Sequence, residues 1–260
     1  MNRLTRRELP PTPKTYKDLA NHLLRSEFKQ AKKAHLDSHK LAKTWYKVDK
    51  QSSEGKELLD YMWVYVYKFD KHRRLVKCKA RLVIRGDQQA KGTQLDQATY
   101  ASTLARRSFR TLMAIAARFD LELIQYDVVN IFVNADLPFV VYMKLPPGYR
   151  KGGVVLRLRK ALYGLRQAPL LWQKHFTTTL ISLGLKPIPY EPCCYSKDRI
   201  LLFFYVDNIV LAYQKGKKSQ VKVLIQAIKN RYTLSRGDNL QWFLGIEILR
   251  NRKEGLIKLS

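Results

Sequence analysis

Two aspartates stand where a carboxylate can project from the end of a strand. Asp127 lies near the end of the stretch 121–129, and Asp207 follows the apolar run 200–206, with Asn208 directly after it. Two carboxylates brought to one place suit Mg²⁺, which takes one or two carboxylates and fills its shell with phosphate oxygens and water. The 49 Lys and Arg outnumber the 21 Asp and Glu, leaving a formal net charge of +28, so the ligand such a site would meet is a polyanion. Nucleic acid leads that class and an anionic membrane follows. Asp207 and Asn208 also suit a tight hairpin turn, a use that needs no chemistry.

His35 and His39 lie four residues apart and would share a helix face, the spacing of two metal ligands, but no third ligand accompanies them. Their stretch, 28–43, alternates Lys, Gln, Ala and His, which predicts a solvated basic helix face. Cys193 and Cys194 are adjacent and, with Cys78, have neither zinc-ligand nor redox-motif spacing, so reduced buried thiols are expected. No internal repeat, low-complexity tract or glycine-rich phosphate loop is visible.

With 46% hydrophobic residues, among them 15 Tyr, 10 Phe and 4 Trp, the chain of 260 residues can fill a core, which excludes disorder throughout. The run 200–206 stops at Asp207, far short of the ~20 residues of a membrane-spanning helix. Residues 1–13 are basic and proline-containing, without the apolar stretch of a secretory signal. These observations predict an intracellular protein with no membrane partner, cytoplasm or nucleus being left open.

The elements that must position the aspartates follow from periodicity. A basic helical segment occupies 1–55, with a helix over 16–43. Alternating β-branched and aromatic residues at 61–68 and 76–84 predict a hairpin with a basic outer face. Leu104, Phe109, Leu112, Met113 and Ala116 recur at helical spacing, with Ser102 or Thr103 as N-cap. A strand at 121–129 follows, then a helix from Pro169 to a stop at Gly184. The runs 200–206 and 209–213 read as a buried hairpin, 221–232 as an amphipathic helix, and 242–249 with 255–259 as two strands. From 121 to 249 the order β, α, β, β, α, β is that of a split βαβ fold of the α+β class: an antiparallel sheet with helices on one face and the other face open. Its first and third strands are central neighbours, which would bring Asp127 beside Asp207. The same arrangement also serves non-catalytic RNA binding through stacked aromatics, so topology leaves both uses open.

Several stretches, in this order, resemble the copia-type reverse transcriptase domain of long-terminal-repeat retrotransposons. They are Lys79-Ala80-Arg81-Leu82-Val83; Gln125-Tyr126-Asp127-Val128 with Phe132 and Asn134-Ala135-Asp136-Leu137; Tyr142-Met143 with Pro147-Gly148; Leu162-Tyr163-Gly164-Leu165-Arg166-Gln167-Ala168-Pro169 with Trp172; Tyr205-Val206-Asp207; and Phe243-Leu244-Gly245-Ile246-Glu247-Ile248. Each is weak alone, and together they are specific over roughly 45–260. The resemblance implies polymerase fingers at 56–120 and a palm with the metal site at 121–260. It implies Asp127, Asp207 and the Val128 carbonyl as ligands of two Mg²⁺ ions, with Mn²⁺ as a substitute, serving nucleotidyl transfer onto a primer 3′-hydroxyl. Phe132 matches the position that blocks a ribose 2′-hydroxyl, Lys79 and Arg81 match residues that steady the triphosphate, and Gln167 matches one near the template-primer. The implied partners are an RNA or DNA template-primer and deoxynucleoside triphosphates.

Three departures bear on this function. The family's hairpin carries two adjacent aspartates where this chain has Asp207-Asn208, so the site loses a formal charge where it must hold dications. Val129-Asn130-Ile131 replaces a stretch that usually holds a Lys or similar residue, a small polar residue and Ala, which adds bulk at Ile131. Thumb, RNase H and integrase regions are expected to be absent from a truncated, degenerate element. Two functions are therefore expected in competition: an RNA-directed DNA polymerase by ancestry, impaired by Asn208, and a non-catalytic nucleic-acid-binding relic of a retrotransposon polyprotein.

Overall fold

The computed structural model describes residues 4–70, 72–89, 99–146 and 152–260. Two compact units form, one from Met1–Thr99 with Phe132–Leu171 and the other from Tyr100–Ile131 with Trp172–Ser260. Each draws on separated stretches of chain, whereas the sequence suggests consecutive regions at 1–55, 56–120 and 121–260. Strand pairing is the physical reason: Tyr142–Met143 and Val154–Leu158 hydrogen-bond with Leu58–Leu59 and Trp45–Asp49 in one four-stranded sheet, drawing the later stretch into the first unit.

In that first unit the helix expected over 16–43 is two helices, Tyr16–Ala20 and Arg25–Leu41. The break lies at His22, whose Nδ1 accepts from the Leu24 N–H at 3.0 Å, a local side-chain bond that competes with the helical ladder. The strands Tyr61–Phe69 and Leu75–Ile84 pair with Trp63 opposite Leu82 and Val64 opposite Arg81. Trp63, Tyr65, Ala80 and Leu82 are buried on the hairpin's inner face, where Tyr65 meets Phe28 of the longer helix edge-on at 5.2 Å. Alternation leaves Lys68, Lys77, Lys79 and Arg81 on the other face, as the pattern suggests.

His35 and His39 do not form part of a solvated face. His39 is 1% exposed, its Nδ1 meets the Thr44 hydroxyl, and its Nε2 lies 3.0 Å from Nε2 of His35. His35 in turn accepts the Leu82 N–H. The polar composition of 28–43 conceals an inner stripe of Phe28, Lys32, His35 and His39, because the hairpin supplies partners that local sequence does not display.

The second unit centres on a six-stranded sheet in the order Asp238–Asn239, Glu122–Asp127, Asn208–Tyr213, Ile200–Tyr205, Glu191–Lys197, Lys186–Ile188. Glu122–Asp127 and Asn208–Tyr213 are central neighbours. The expected strand 242–249 is not beside them, since positive φ at Leu244 (54°) and Gly245 (75°) turns the chain back. It splits into Trp242–Phe243 and Ile246–Asn251, which join Leu256–Leu259 in a separate three-stranded sheet.

Both faces of the six-stranded sheet are covered at its middle, so the expected open face is absent there. On one face Phe204 meets Phe176 of helix Ala168–Ser182 edge-on at 5.1 Å, and Tyr232, just beyond helix Lys218–Lys229, packs on Phe176 and Trp172. On the other, Phe203 lies against Phe243 and against Phe109 of helix Arg106–Arg118. Unbroken apolar runs, rather than alternation, are the mark of strands buried on both sides. Helix Arg106–Arg118 has no side-chain N-cap; Ser102 instead uses its backbone N–H and carbonyl to bind the Gln173 amide. Cys193 and Cys194 are buried free thiols, pushed up to about 12 by burial.

Candidate active site

The hairpin joining Ile200–Tyr205 to Asn208–Tyr213 closes on the pair Tyr205 and Asn208, so its two turn residues are Val206 and Asp207 rather than Asp207 and Asn208. Val206 has φ of 57° and Asp207 does not share the positive value, the pattern of a type II′ turn, whose first residue is ordinarily glycine. A β-branched residue there is strained. The indole Nε1–H of buried Trp172 donates to the Val206 carbonyl at 2.8 Å and helps hold this turn.

The turn places Asp207 against the end of the neighbouring strand. Its carbonyl accepts the Val128 N–H at 2.8 Å, and Asn208 stands directly opposite Asp127 in the antiparallel register. Directly opposed residues point to the same side of a sheet, so the Asp127 and Asn208 side chains share a face. Asp127 is exposed and Asp207 half-buried. The backbone N–H and carbonyl of Asp127 are both bonded to Ser235, through its hydroxyl and its N–H, at 2.8 Å each. The Asn208 amide is engaged at both ends: its Oδ1 accepts from Gln125 at 2.8 Å and its Nδ2 donates to Asp207 Oδ1 at 3.1 Å. Asn208 thus supplies a proton where a second carboxylate would supply charge.

Among the described residues no three His, Cys, Asp or Glu side chains gather as a metal-holding group. The donor set is two carboxylates at a strand end and the adjacent turn. That set fits Mg²⁺ bringing phosphate oxygens of its own, and does not fit an ion caged wholly by protein.

The remaining expected site residues belong to the other unit. Lys79 and Arg81 are half-buried on the hairpin's basic face, and the Arg81 guanidinium lies 4.1 Å from the centre of the Tyr163 ring. Phe132, 7% exposed, meets the same ring edge-on at 4.6 Å. Tyr163 therefore links Arg81 to Phe132, a role its motif position does not announce. Gln167 is buried, its Oε1 accepting from Gln89 at 3.2 Å while its Nε2 has no partner among the described residues. Gln89 Oε1 accepts the Arg166 N–H, which anchors the loop before the helix. Gly164 makes this possible: its φ is 96°, and a Cβ there would stand 2.0 Å from the Ile84 carbonyl oxygen. Pro147 and Gly148 lie outside the described residues.

Sequence reasoning did not single out Ser235, Gln125 or Tyr163. Gln125 carried a signal, being two residues before Asp127 and so on its face. Ser235 carried none, since its contact with Asp127 depends on a distant segment.

Residues 42–260 match the family model described as reverse transcriptase (RNA-dependent DNA polymerase). The chain is 31% identical over 95% of its length to the retrovirus-related Pol polyprotein from transposon TNT 1-94 of Nicotiana tabacum, covering 19% of that protein. It is 32% identical over 72% of its length to the Pol polyprotein from transposon RE2 of Arabidopsis thaliana, covering 13% of it. Against the transposon Ty1-DR1 Gag-Pol polyprotein of Saccharomyces cerevisiae the identity is 26% over 79% of the chain and 12% of the relative. The chain belongs to the reverse transcriptase family, in its copia-type branch. It spans less than a fifth of the length of these curated relatives.

Proposed function

We propose that this chain is an RNA-directed DNA polymerase by ancestry, built for nucleotidyl transfer onto a primer 3′-hydroxyl and impaired at Asn208. The observation that carries the reading is the opposition of Asp127 and Asn208 across one strand pair, with Asp207 bonded to Val128 beside them. Asp127, Asp207 and the Val128 carbonyl are the groups proposed to hold Mg²⁺, with Mn²⁺ as a substitute. Bound there with a deoxynucleoside triphosphate, the metal would supply charge stabilisation at the transferring phosphate. The chain's own part is to fix the carboxylates: Ser235 clamps the backbone of Asp127, and the strained Val206 turn aims Asp207. Lys79 and Arg81 are proposed to neutralise the triphosphate, Phe132 to exclude a ribose 2′-hydroxyl, and Gln167 to act near the template-primer.

A second reading, a nucleic-acid-binding protein without catalysis, is favoured by one observation. The Asn208 amide bonds to both Gln125 and Asp207, so Asn208 is held in place without any cation. Single-nucleotide addition to a primed RNA or DNA template, with Mg²⁺ or Mn²⁺, separates the two. Addition that disappears in Asp207→Asn supports the polymerase; binding without addition in wild type supports the second reading.

A further inference from the structure

Helix Ala168–Ser182 carries Trp172, Phe176 and Thr179 along one face, at the i, i+4 and i+7 spacing. Two of these side chains reach the two halves of the candidate site by separate routes. One route is the bond from the Trp172 indole Nε1–H to the Val206 carbonyl at 2.8 Å, which tethers the turn carrying Asp207. The other starts at Thr179, whose Oγ1 lies 2.6 Å from the Tyr232 hydroxyl, both residues being buried. Thr179 has a single hydroxyl proton and gives it to the His175 carbonyl at 3.1 Å, so Tyr232 is the donor between the two hydroxyls. The Tyr232 ring is wedged edge-on against Trp172 at 5.4 Å and Phe176 at 5.7 Å. Directly after Tyr232 come the residues that hold the end of the strand bearing Asp127. The Thr233 carbonyl accepts the Val129 N–H, Leu234 bridges Val128, and Ser235 bonds the Asp127 backbone through its hydroxyl and its N–H.

A set of metal ligands works only when packed supporting residues hold it within about 0.5 Å of the productive geometry. We propose that this helix face is the spacer of the site: Trp172 positions Asp207 through the Val206 turn, and Thr179 positions Asp127 through Tyr232 and the segment 233–235. The proposal rests on the reading of Asp127 and Asp207 as metal ligands. Trp172, Thr179 and Tyr232 act through other residues and are positioning residues, none of them assigned to the metal or the nucleotide. The strain at Val206 is what makes the first tether necessary, because a β-branched residue leaves left-handed φ when it is released. The second tether is a buried hydroxyl pair, which is costly to separate once both groups are out of water.

Amide hydrogen exchange of the full chain without metal reads both routes. The Val128 N–H reports on the Asp207 carbonyl, the Val129 and Ser235 N–H groups report on the segment 233–235, and Leu211 in the middle of the same sheet is the reference. Trp172→Phe should speed exchange at Val128 about tenfold relative to Leu211, the effect of one lost hydrogen bond. Adding Val206→Gly should restore the protection, since glycine takes left-handed φ without a tether. Tyr232→Phe should speed Val129 and Ser235 about tenfold and spare Val128, and Thr179→Val on top of it should add nothing, because the two residues share one bond. The second measurement is Mn²⁺ binding by electron paramagnetic resonance, in which Trp172→Phe and Tyr232→Phe should each weaken about tenfold the binding that Asp207→Asn abolishes. Equal acceleration at Leu211, no rescue by Val206→Gly, or Mn²⁺ affinity unchanged in both variants would overturn the proposal. If wild type and Asp207→Asn bind Mn²⁺ alike, the metal reading fails, and the metal-free exchange still decides whether the helix positions the two aspartates.

Discussion

Replacing Asn208 by aspartate exchanges a hydrogen-bond donor for an anion beside Asp207. Without a cation the two carboxylates repel, and the bond from Asn208 Nδ2 to Asp207 is lost; with Mg²⁺ the added charge becomes attraction. Under the proposed function, Asn208→Asp should raise single-nucleotide addition on the order of 10²-fold, the scale of other lost electrostatic stabilisers. It should also make thermal stability rise with added Mg²⁺ more than in wild type, a readout independent of turnover. If the double variant with Ile131→Ala binds template-primer yet adds no nucleotide with either metal, the Asn208 defect is not the main lesion. Phe132 allows a second test at this scale. Phe132→Val should admit ribonucleotides in any active version if the ring guards the sugar. Because the ring is buried against Tyr163, the same change should cost on the order of 2 kcal/mol of stability, between the ranges for Ile→Val and Phe→Ala. A stability loss with unchanged sugar discrimination would leave Phe132 as packing alone.

Among the elements, the helix Arg25–Leu41 and the hairpin 61–84 are joined by buried imidazoles. Burial, reinforced by the Arg81 and Lys79 charges, pushes His35 down to about 4, and burial with the neighbouring His35 pushes His39 down to about 3. Both folded values lie below the ordinary 6.5 of an exposed imidazole. Below that pH the unfolded chain therefore takes up protons that the folded unit refuses. The stability these groups contribute is full above pH 6.5 and is lost as pH falls toward 4 and then 3. Urea midpoints at pH 7 and pH 4.5 should show the loss, and His35→Gln/His39→Gln should flatten it; an unchanged slope would free the pair of this role. Gly164→Ala should destabilise the same unit by several kcal/mol, beyond the ~1–3 of an ordinary overpacked site, since left-handed φ adds to the clash with Ile84. The hairpins and the helices Arg106–Arg118 and Lys218–Lys229 were legible because their apolar periods repeat over whole elements. The burial of His35 and His39 and the fate of 242–249 were not. The first depends on a partner hairpin far along the chain, and the second on two residues, Leu244 and Gly245, that reverse direction inside an apolar stretch. At the candidate site Asp127, Asp207 and Asn208 could be read from strand ends, while Ser235 could not.

For the whole molecule the dominant quantity is its charge of +28. Affinity for a primer-template should fall steeply with salt, with a log-log slope of about −0.9 for each duplex phosphate neutralised. Scrambling the template should hardly matter, because this term is blind to sequence. A flat salt dependence in a filter-binding titration would remove nucleic acid as the partner. Among the described residues no helix is long and apolar enough to cross a membrane.

The pairing of Trp45–Asp49 with Val154–Leu158 has a consequence for synthesis. The earlier strand leaves the ribosome roughly a hundred residues before its partner exists, which at ~5–20 residues per second is a wait of about 5–20 s. During that interval an unpaired edge bearing Trp45 and Tyr46 is exposed, the kind of edge that recruits other strands. Non-local closure of this sort also slows folding in any order of synthesis. A nascent chain arrested before Val154 should therefore remain protease-sensitive at 45–49 and bind holdase chaperones, and one released after Leu171 should not. In this protein the late segment is the piece that completes the early one, so the first unit acquires its full sheet only after Leu158 has been made.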